Sequence, residues 1–341
     1  MQAGVRSRRR AGVASRTGRT FRTELLRSSL MTAPPEPSCR TYVILAREGR
    51  SAVVFRRGPT RQVLVLRWWL DDDRIEPGQW LKGRIYERRC DLSPNGDLLI
   101  YFAAKWESPL QTWTAVSRTP YLTALALWPK GDAWGGGGVF ESPLTIGLNH
   151  RTEDVPQLPQ MRGPRWHPLG SEKHALPKNY KYRRWSEHAG YGEDNPIEDH
   201  RITRDGWTCT VAGEQTQSGT DGYFIRMKTP EIYERPAPKD GLVLRRMLKG
   251  IGQKGGPWYD EDFAILRKDG TLLRQIPECG WADWQSNGDL LIAREGCLYR
   301  LKASLAGEES SQPLDGATQV ADLAPLRFKG VEAPEWALKW P

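Results

Sequence analysis

The sequence predicts an all-β repeat protein, and three observations carry that prediction. First, residues 86–103 read Y-E-R-R-C-D-L-S-P-N-G-D-L-L-I-Y-F-A, a tight turn with strand-like segments on both sides. Second, weaker copies of this turn and strand recur downstream. Third, short apolar runs of strand length alternate with Gly-, Pro- and Asn-rich turns along the chain.

Each position of Ser93-Pro94-Asn95-Gly96 has a physical reason. Pro94 pre-sets φ, Asn95 tolerates unusual backbone angles, and Gly96 takes the positive φ that other residues resist. Asp97 leads into Leu98-Leu99-Ile100-Tyr101-Phe102, whose lack of polar alternation predicts a strand buried on both faces. Leu127-Trp128-Pro129-Lys130-Gly131-Asp132 repeats Pro-x-Gly-Asp after an apolar run. Residues 281–293 repeat Asn-Gly-Asp-Leu-Leu-Ile around Gly288, with Asp283 near the place that Asp91 occupies. Asp205-Gly206 and Asp269-Gly270 are shorter echoes, both hairpin signals between apolar segments.

Recurrence of this kind is a repeat signature. The pattern resembles the Asp-x-Ser-Pro-Asn-Gly-x-Leu-Leu hairpins of β-propeller proteins of the WD-repeat and Tol-type families, carried here by Asp91, Ser93, Pro94, Asn95, Gly96 and Leu98. The Gly-His opening and Trp-Asp ending of standard WD blades are absent from the chain. The resemblance implies a β-propeller-like fold. At about 40–50 residues per blade, it leaves room for five to seven antiparallel meanders.

The elements follow in order. Residues 41–46, 51–55 and 62–70 read as strands, with a turn at 56–60 and a solvated acidic loop at Asp71-Asp72-Asp73. The four glycines 135–138 permit close backbone approach, and no Lys-Ser/Thr follows to make a phosphate loop. A bulged strand packed on a neighbouring blade is expected there. Residues 150–201 are polar, Pro-rich and without strand alternation, which predicts a long loop insertion. Residues 202–211 and 222–227 read as strands, and 242–248 as a strand or short helix. An antiparallel meander follows over 263–301, and a final strand at 318–323 would close the ring with the N-terminal one.

Charge separates the chain into parts. The net charge is +9, but residues 1–30 hold eight Arg against Glu24, which leaves about +2 for the remainder. Residues 1–40 are therefore expected to be a disordered Arg-rich leader and linker. They read as translated upstream sequence ahead of a start at Met31, as a transit-like segment, or as a nucleic-acid arm. A single domain is expected over 41–330, with a tail at 331–341. Five dispersed Cys without C-x-x-C spacing read as reduced thiols and a cytoplasmic location. Nothing is long and apolar enough to span a membrane, and no motif implies a cofactor. The 15 Trp are spread from Trp68 to Trp340, which suits packing between blades better than one stacking platform.

Residues 150–201 hold all five histidines and supply the candidate site residues. His188 and His200 stand with Glu193, Asp194, Glu198 and Asp199, a composition able to hold a divalent metal or do acid–base work, against the blander reading of a solvated loop. Tyr180, Tyr182, Arg183, Arg184 and Trp185 interleave charge and aromatic surface, as a ligand grip or as one strand with a solvated face. The expected function is that of a binding or scaffold protein with a protein partner. The alternative is a hydrolase or lyase acting on a glycan-like ligand through the insertion. Nucleic-acid contact is expected only from the leader.

Overall fold

The computed structural model describes residues 39–59, 61–107, 110–151, 176–184, 189–190, 196–216, 219 and 222–341. Within them the fold is all-β and propeller-like, built from five separate sheets in chain order. The first is a meander of β1 (Arg40–Leu45), β2 (Ser51–Arg57), β3 (Gln62–Trp69) and β4 (Arg74–Lys82). The second runs β7 (Leu98–Ala104), β8 (Thr112–Arg118) and β9 (Ala124–Pro129), with the short β5 (Arg84–Ile85) and β6 (Asp91–Leu92) both pairing β7. The third joins β10 (Gly138–Ser142) and β11 (Thr145–Leu148) to β12 (Lys181–Arg184), which pairs β11 in parallel.

Helix α1 (Ile197–Arg204) precedes the fourth sheet. That sheet comprises β13 (Thr208–Val211), β14 (Glu214–Gln215), β15 (Ile225–Pro236), β16 (Leu242–Ile251), β17 (Tyr259–Arg267) and β18 (Leu272–Ile276). The fifth is β19 (Cys279–Trp284), β20 (Leu290–Arg294), β21 (Cys297–Leu301) and β22 (Thr318–Asp322), with the short helix α2 (Ala303–Ala306) before β22. No helix among the described residues is long and apolar enough to cross a membrane.

The repeated Leu-Leu-Ile strands explain the cores. Successive side chains of a strand point to opposite faces. On β7, Leu99, Tyr101 and Ala103 enter a core shared with the first and fifth sheets, while Leu98 and Ile100 enter a second core with Phe140 and Ile146 of the third. On β20, Leu291 and Ala293 join the first core, and Leu290 and Ile292 a third core with Phe263 and Ile265 of the fourth sheet. Each such strand is sandwiched between two blades, which is why its sequence shows no polar alternation. Each of these larger side chains, fully buried, contributes about 1.5–3 kcal/mol.

The turns match the repeat residue by residue. Gly96 and Gly288 have φ of +82° and +96°. Their N–H groups donate to Ser93 O at 2.8 Å and Gln285 O at 2.9 Å. The Asn95 and Asn287 side-chain oxygens accept from the N–H groups of Asp97 and Asp289. Gly131 and Gly270 also take positive φ, and a Cβ on either would meet open space. Gly131→Ala should therefore cost about 1–2 kcal/mol of backbone strain alone. Gly96→Ala should cost more, because its Cβ would lie 2.5 Å from the Ser51 Oγ. Urea midpoints of the two variants check this order.

The glycine run 135–138 does bring backbones together. Gly135, Gly136 and Gly137 take positive φ, and β10 begins at Gly138 with a register shift between Phe140 and Ser142. The run folds over Arg89, whose guanidinium donates to Ala133 O and Gly135 O, each at 2.7 Å.

Three expectations change. The strand at 318–323 pairs β21, and β1 pairs β2, so among the described residues no strand is shared across the ring. Instead β1 packs on β19 and β20. Arg56 reaches Leu323 O and Ala324 O at 3.1 and 3.0 Å. Asp73 does not belong to a solvated loop: it accepts from Trp68 Nε1 and pairs with Arg300 of β21. Residues 202–204 are helical, because Ile197, Glu198, Arg201 and Ile202 recur at helical spacing and are all buried. In the stretch 150–201, read as a long loop insertion, the exposed strand allowed for around 180–185 is β12, and α1, most of which lies there, was not expected.

Candidate functional site: the axial channel

Helix α1 sits where the blades converge. Its residues bond to Tyr42 of the first blade, Arg88 and Asp91 of the second, Phe140 of the third and, through Glu198, Arg246 of the fourth. The side chains at 197, 198, 201 and 202 turn inward, and Pro196 occupies the N-cap position. A short, largely polar helix gains little from intrinsic propensity and forms here on its tertiary contacts.

Two layers of charge surround it. In the inner layer, Arg88 donates to both oxygens of Glu198 at 2.7 and 2.8 Å and to Glu261 Oε2 at 2.7 Å. Arg246 donates to Glu261 Oε1 at 2.7 Å and lies 3.3 Å from Glu198 Oε1. Arg201 donates to the Tyr42 hydroxyl at 2.6 Å, and the Arg88 guanidinium stacks 3.5 Å from the Tyr259 ring centroid. All these charged groups are buried. Burial alone pushes the Glu198 carboxyl up, but Arg88 and Arg246 overcome it and hold the pKa at about 2. The same carboxylates hold Arg88 well above its ordinary value against the pull of burial.

The outer layer lines a mouth. Arg204 grips Asp91 with two bonds of 2.7 and 3.0 Å and also holds Asp205. Asp91 is fully buried and accepts the Phe140 N–H as well. Asp283, its counterpart in the fifth blade, pairs with Arg235 and receives the Trp207 Nε1–H. Burial raises the Asp283 carboxyl above the usual range, with Arg235 pulling the other way. Between these pairs opens a cavity of about 450 Å³, walled by β1, the end of α1, Trp207, Arg235 and residues 280–286. A second cavity, about 630 Å³, opens beside Arg88, Tyr259 and Lys249. Tyr42 and Glu261 line both, so the inner charged layer divides the channel.

The sequence-predicted residues lie elsewhere. Tyr180 packs on Trp340 at 4.7 Å, and Tyr182 meets Trp128 edge-on at 5.5 Å. Arg183 pairs with Glu141 at 2.9 Å, and all four residues of β12 are exposed. None of them lines either axial cavity. His200 is on α1, half-buried, with its pKa lowered by burial and then by Arg204. Trp185, His188, Glu193 and Asp194 lie outside the described residues. Among the described residues no three His, Cys, Asp or Glu side chains are grouped to hold a metal. Asp91 and Gly96, both read as turn residues, part company: Gly96 makes the turn, while Asp91 anchors α1. Glu198 was among the carboxylates singled out beside His200, though as a metal or acid–base group; missed from the sequence were Arg88, Arg204, Arg235, Arg246 and Glu261. The one available signal was the repeat itself, which places Asp91 and Asp283 at equivalent positions.

No family model and no curated protein matches the chain. Solved structures do. The AtxE2 isopeptidase with astexin bound matches at 12% identity and a TM-score of 0.37, over 85% of this chain and 53% of that one. The chain thus spans about half the length of the isopeptidase. A Bacteroides fragilis protein assigned as a 6-phosphogluconolactonase matches at 10% identity and a TM-score of 0.33, over 86% and 98% of the two chains. An oligogalacturonate lyase in complex with manganese matches at 13% and 0.26, over 83% and 80%. No residue role carries over at such distance.

Proposed function

We propose that this protein is a β-propeller that captures a small polar ligand in the axial funnel above α1. The observation that carries the reading is the convergence of two held pairs, Arg204 with Asp91 and Asp205, and Arg235 with Asp283, on one cavity of about 450 Å³. The floor is closed by α1 and its buried charges. A narrow, closed-bottomed funnel fits a small molecule better than the broad contact of a protein scaffold. Prearranged donors and acceptors beside Trp207 suit a ligand rich in hydroxyls or carboxylates, as in a glycan fragment.

Arg47 lines the funnel and, among the described residues, is held by a carbonyl, donating to Phe140 O at 2.9 Å. It supplies the test. Thermal shift of the full chain against a panel of sugars and sugar acids should find a ligand, and Arg47→Ala should weaken its binding about tenfold while leaving the unliganded Tm unchanged. A panel that shifts nothing, alongside a stoichiometric protein partner covering the funnel, would reject the reading.

A second reading, hydrolase or lyase chemistry on the same ligand, is favoured by Asp283. A carboxyl at the wall of a cleft, raised by burial against the pull of Arg235, is a candidate acid–base group. Asp283→Asn would then abolish turnover of the ligand found above while binding persisted.

A further inference from the structure

A second, separate site lies between the first two blades. A cleft of about 660 Å³ is lined by Arg40, Arg57, Arg61, Arg84 and Lys105, with Trp106 at its rim. These cations come from four places in the chain: the start of β1, the end of β2 and the turn after it, β5, and the loop after β7. No carboxylate is among the described residues that line the cleft. Arg57 has Glu87 behind it, at 2.6 Å. Arg84 faces a ring instead, 4.2 Å from the Tyr86 centroid. Arg40 donates to the Gly256 carbonyl, and burial and then Arg57 pull its pKa down. The chain beyond the leader carries only about +2, so this concentration is local and not a sample of general basicity.

Like charges facing one cavity repel unless an anion sits between them. Arginine forks match phosphate oxygens in geometry as well as charge. Trp106 adds a second, independent observation. Its φ of +61° is one that a bulky aromatic residue rarely adopts, and its indole is 49% exposed. The N–H groups of Lys105 and Trp106 both donate to Gln111 O, at 2.9 and 3.1 Å, which fixes the residue in that pose. An exposed indole held beside a basic cleft offers a face on which a nucleobase can stack.

We infer that this inter-blade cleft binds a nucleoside phosphate, with the phosphate on the Arg40, Arg57, Arg61 and Arg84 side and the base on Trp106. The cleft shares no lining residue with the axial funnel, and only Arg40 and Arg57 with the cavity beside Arg88, so the inference stands apart from the proposed function. The phosphate can belong to a free nucleotide or to a strand of nucleic acid. The two sources share the chemistry and differ in reach.

Titration calorimetry of the full chain would use adenosine monophosphate, inorganic phosphate, adenosine and a short single-stranded oligonucleotide. The monophosphate should bind at least tenfold more tightly than phosphate or adenosine, with quenching of tryptophan fluorescence. Trp106→Ala and Arg61→Glu alter exposed positions, and each should weaken it tenfold or more. The leader is unchanged in these variants, so only the loss they cause in oligonucleotide binding reports on the cleft. A larger variant effect on the oligonucleotide than on the monophosphate would identify a strand as the source. Phosphate binding as tightly as the monophosphate, or binding indifferent to both substitutions, would overturn the inference.

Discussion

Glu198→Ala is expected to destabilise the protein by about 3–5 kcal/mol, the loss that follows when a buried ion pair is left with one partner. The carboxylate receives two bonds from Arg88 and lies beside Arg246, and all three groups are buried. Truncation leaves the buried Arg88 with Glu261 as its remaining carboxylate among the described residues. The pH dependence follows from the same geometry. Glu198 titrates at about 2 in the fold against an ordinary 4.5, so the folded value is depressed. Its contribution is complete above pH 4.5 and is lost as pH falls from there towards 2. Urea midpoints measured across that window should fall steeply for the parent. Glu198→Gln should give a flatter profile, and equal slopes in the two proteins would refute the assignment.

Gly137→Ala is expected to be nearly as damaging, at about 2–4 kcal/mol. The residue has φ of +82°, and a Cβ there would lie 2.1 Å from the Arg89 carbonyl oxygen. Neither atom can step aside. The carbonyl belongs to the backbone just before β6, and the Arg89 side chain is tied to Ala133 and Gly135 beneath the glycine run. Gly131→Ala, with the same kind of backbone and open space around it, is the control. Calorimetric Tm values should separate the two variants by several degrees. Similar values would mean that conformation alone, and not the contact with Arg89, decides the loss.

What the sequence showed and what it hid follow one physical line. The Leu98 to Phe102 run, the Asn-Gly-Asp turns and the glycine run are local statements, set by side-chain period and backbone angle over a few residues. They were legible. The axial site is assembled over long separations, with Arg88 meeting Glu198 across 110 positions and Glu261 across 173. No spacing rule links such residues before the ring has brought them together. Helix α1 was hidden for a related reason: its inward face is half charge, Glu198 and Arg201 beside Ile197 and Ile202, so it reads as solvated until its partners are in place. The histidine count drew attention to 150–201, whereas arginines from α1 and from the first, second and fourth blades carry the electrostatics of the channel.

The ring also has a seam. Among the described residues every sheet is drawn from one continuous stretch of chain, and no strand crosses from the last blade to the first. The other joints can form while neighbouring segments are close in sequence. The one between β1 and the fifth blade must wait until the whole circle is present, and its latches are side chains, Arg56 and Arg300. Such a molecule behaves as a split washer. Parting at the cut would break the Arg56 and Arg300 contacts and expose the core shared by the first and fifth sheets, while the backbone pairing inside every sheet stayed whole.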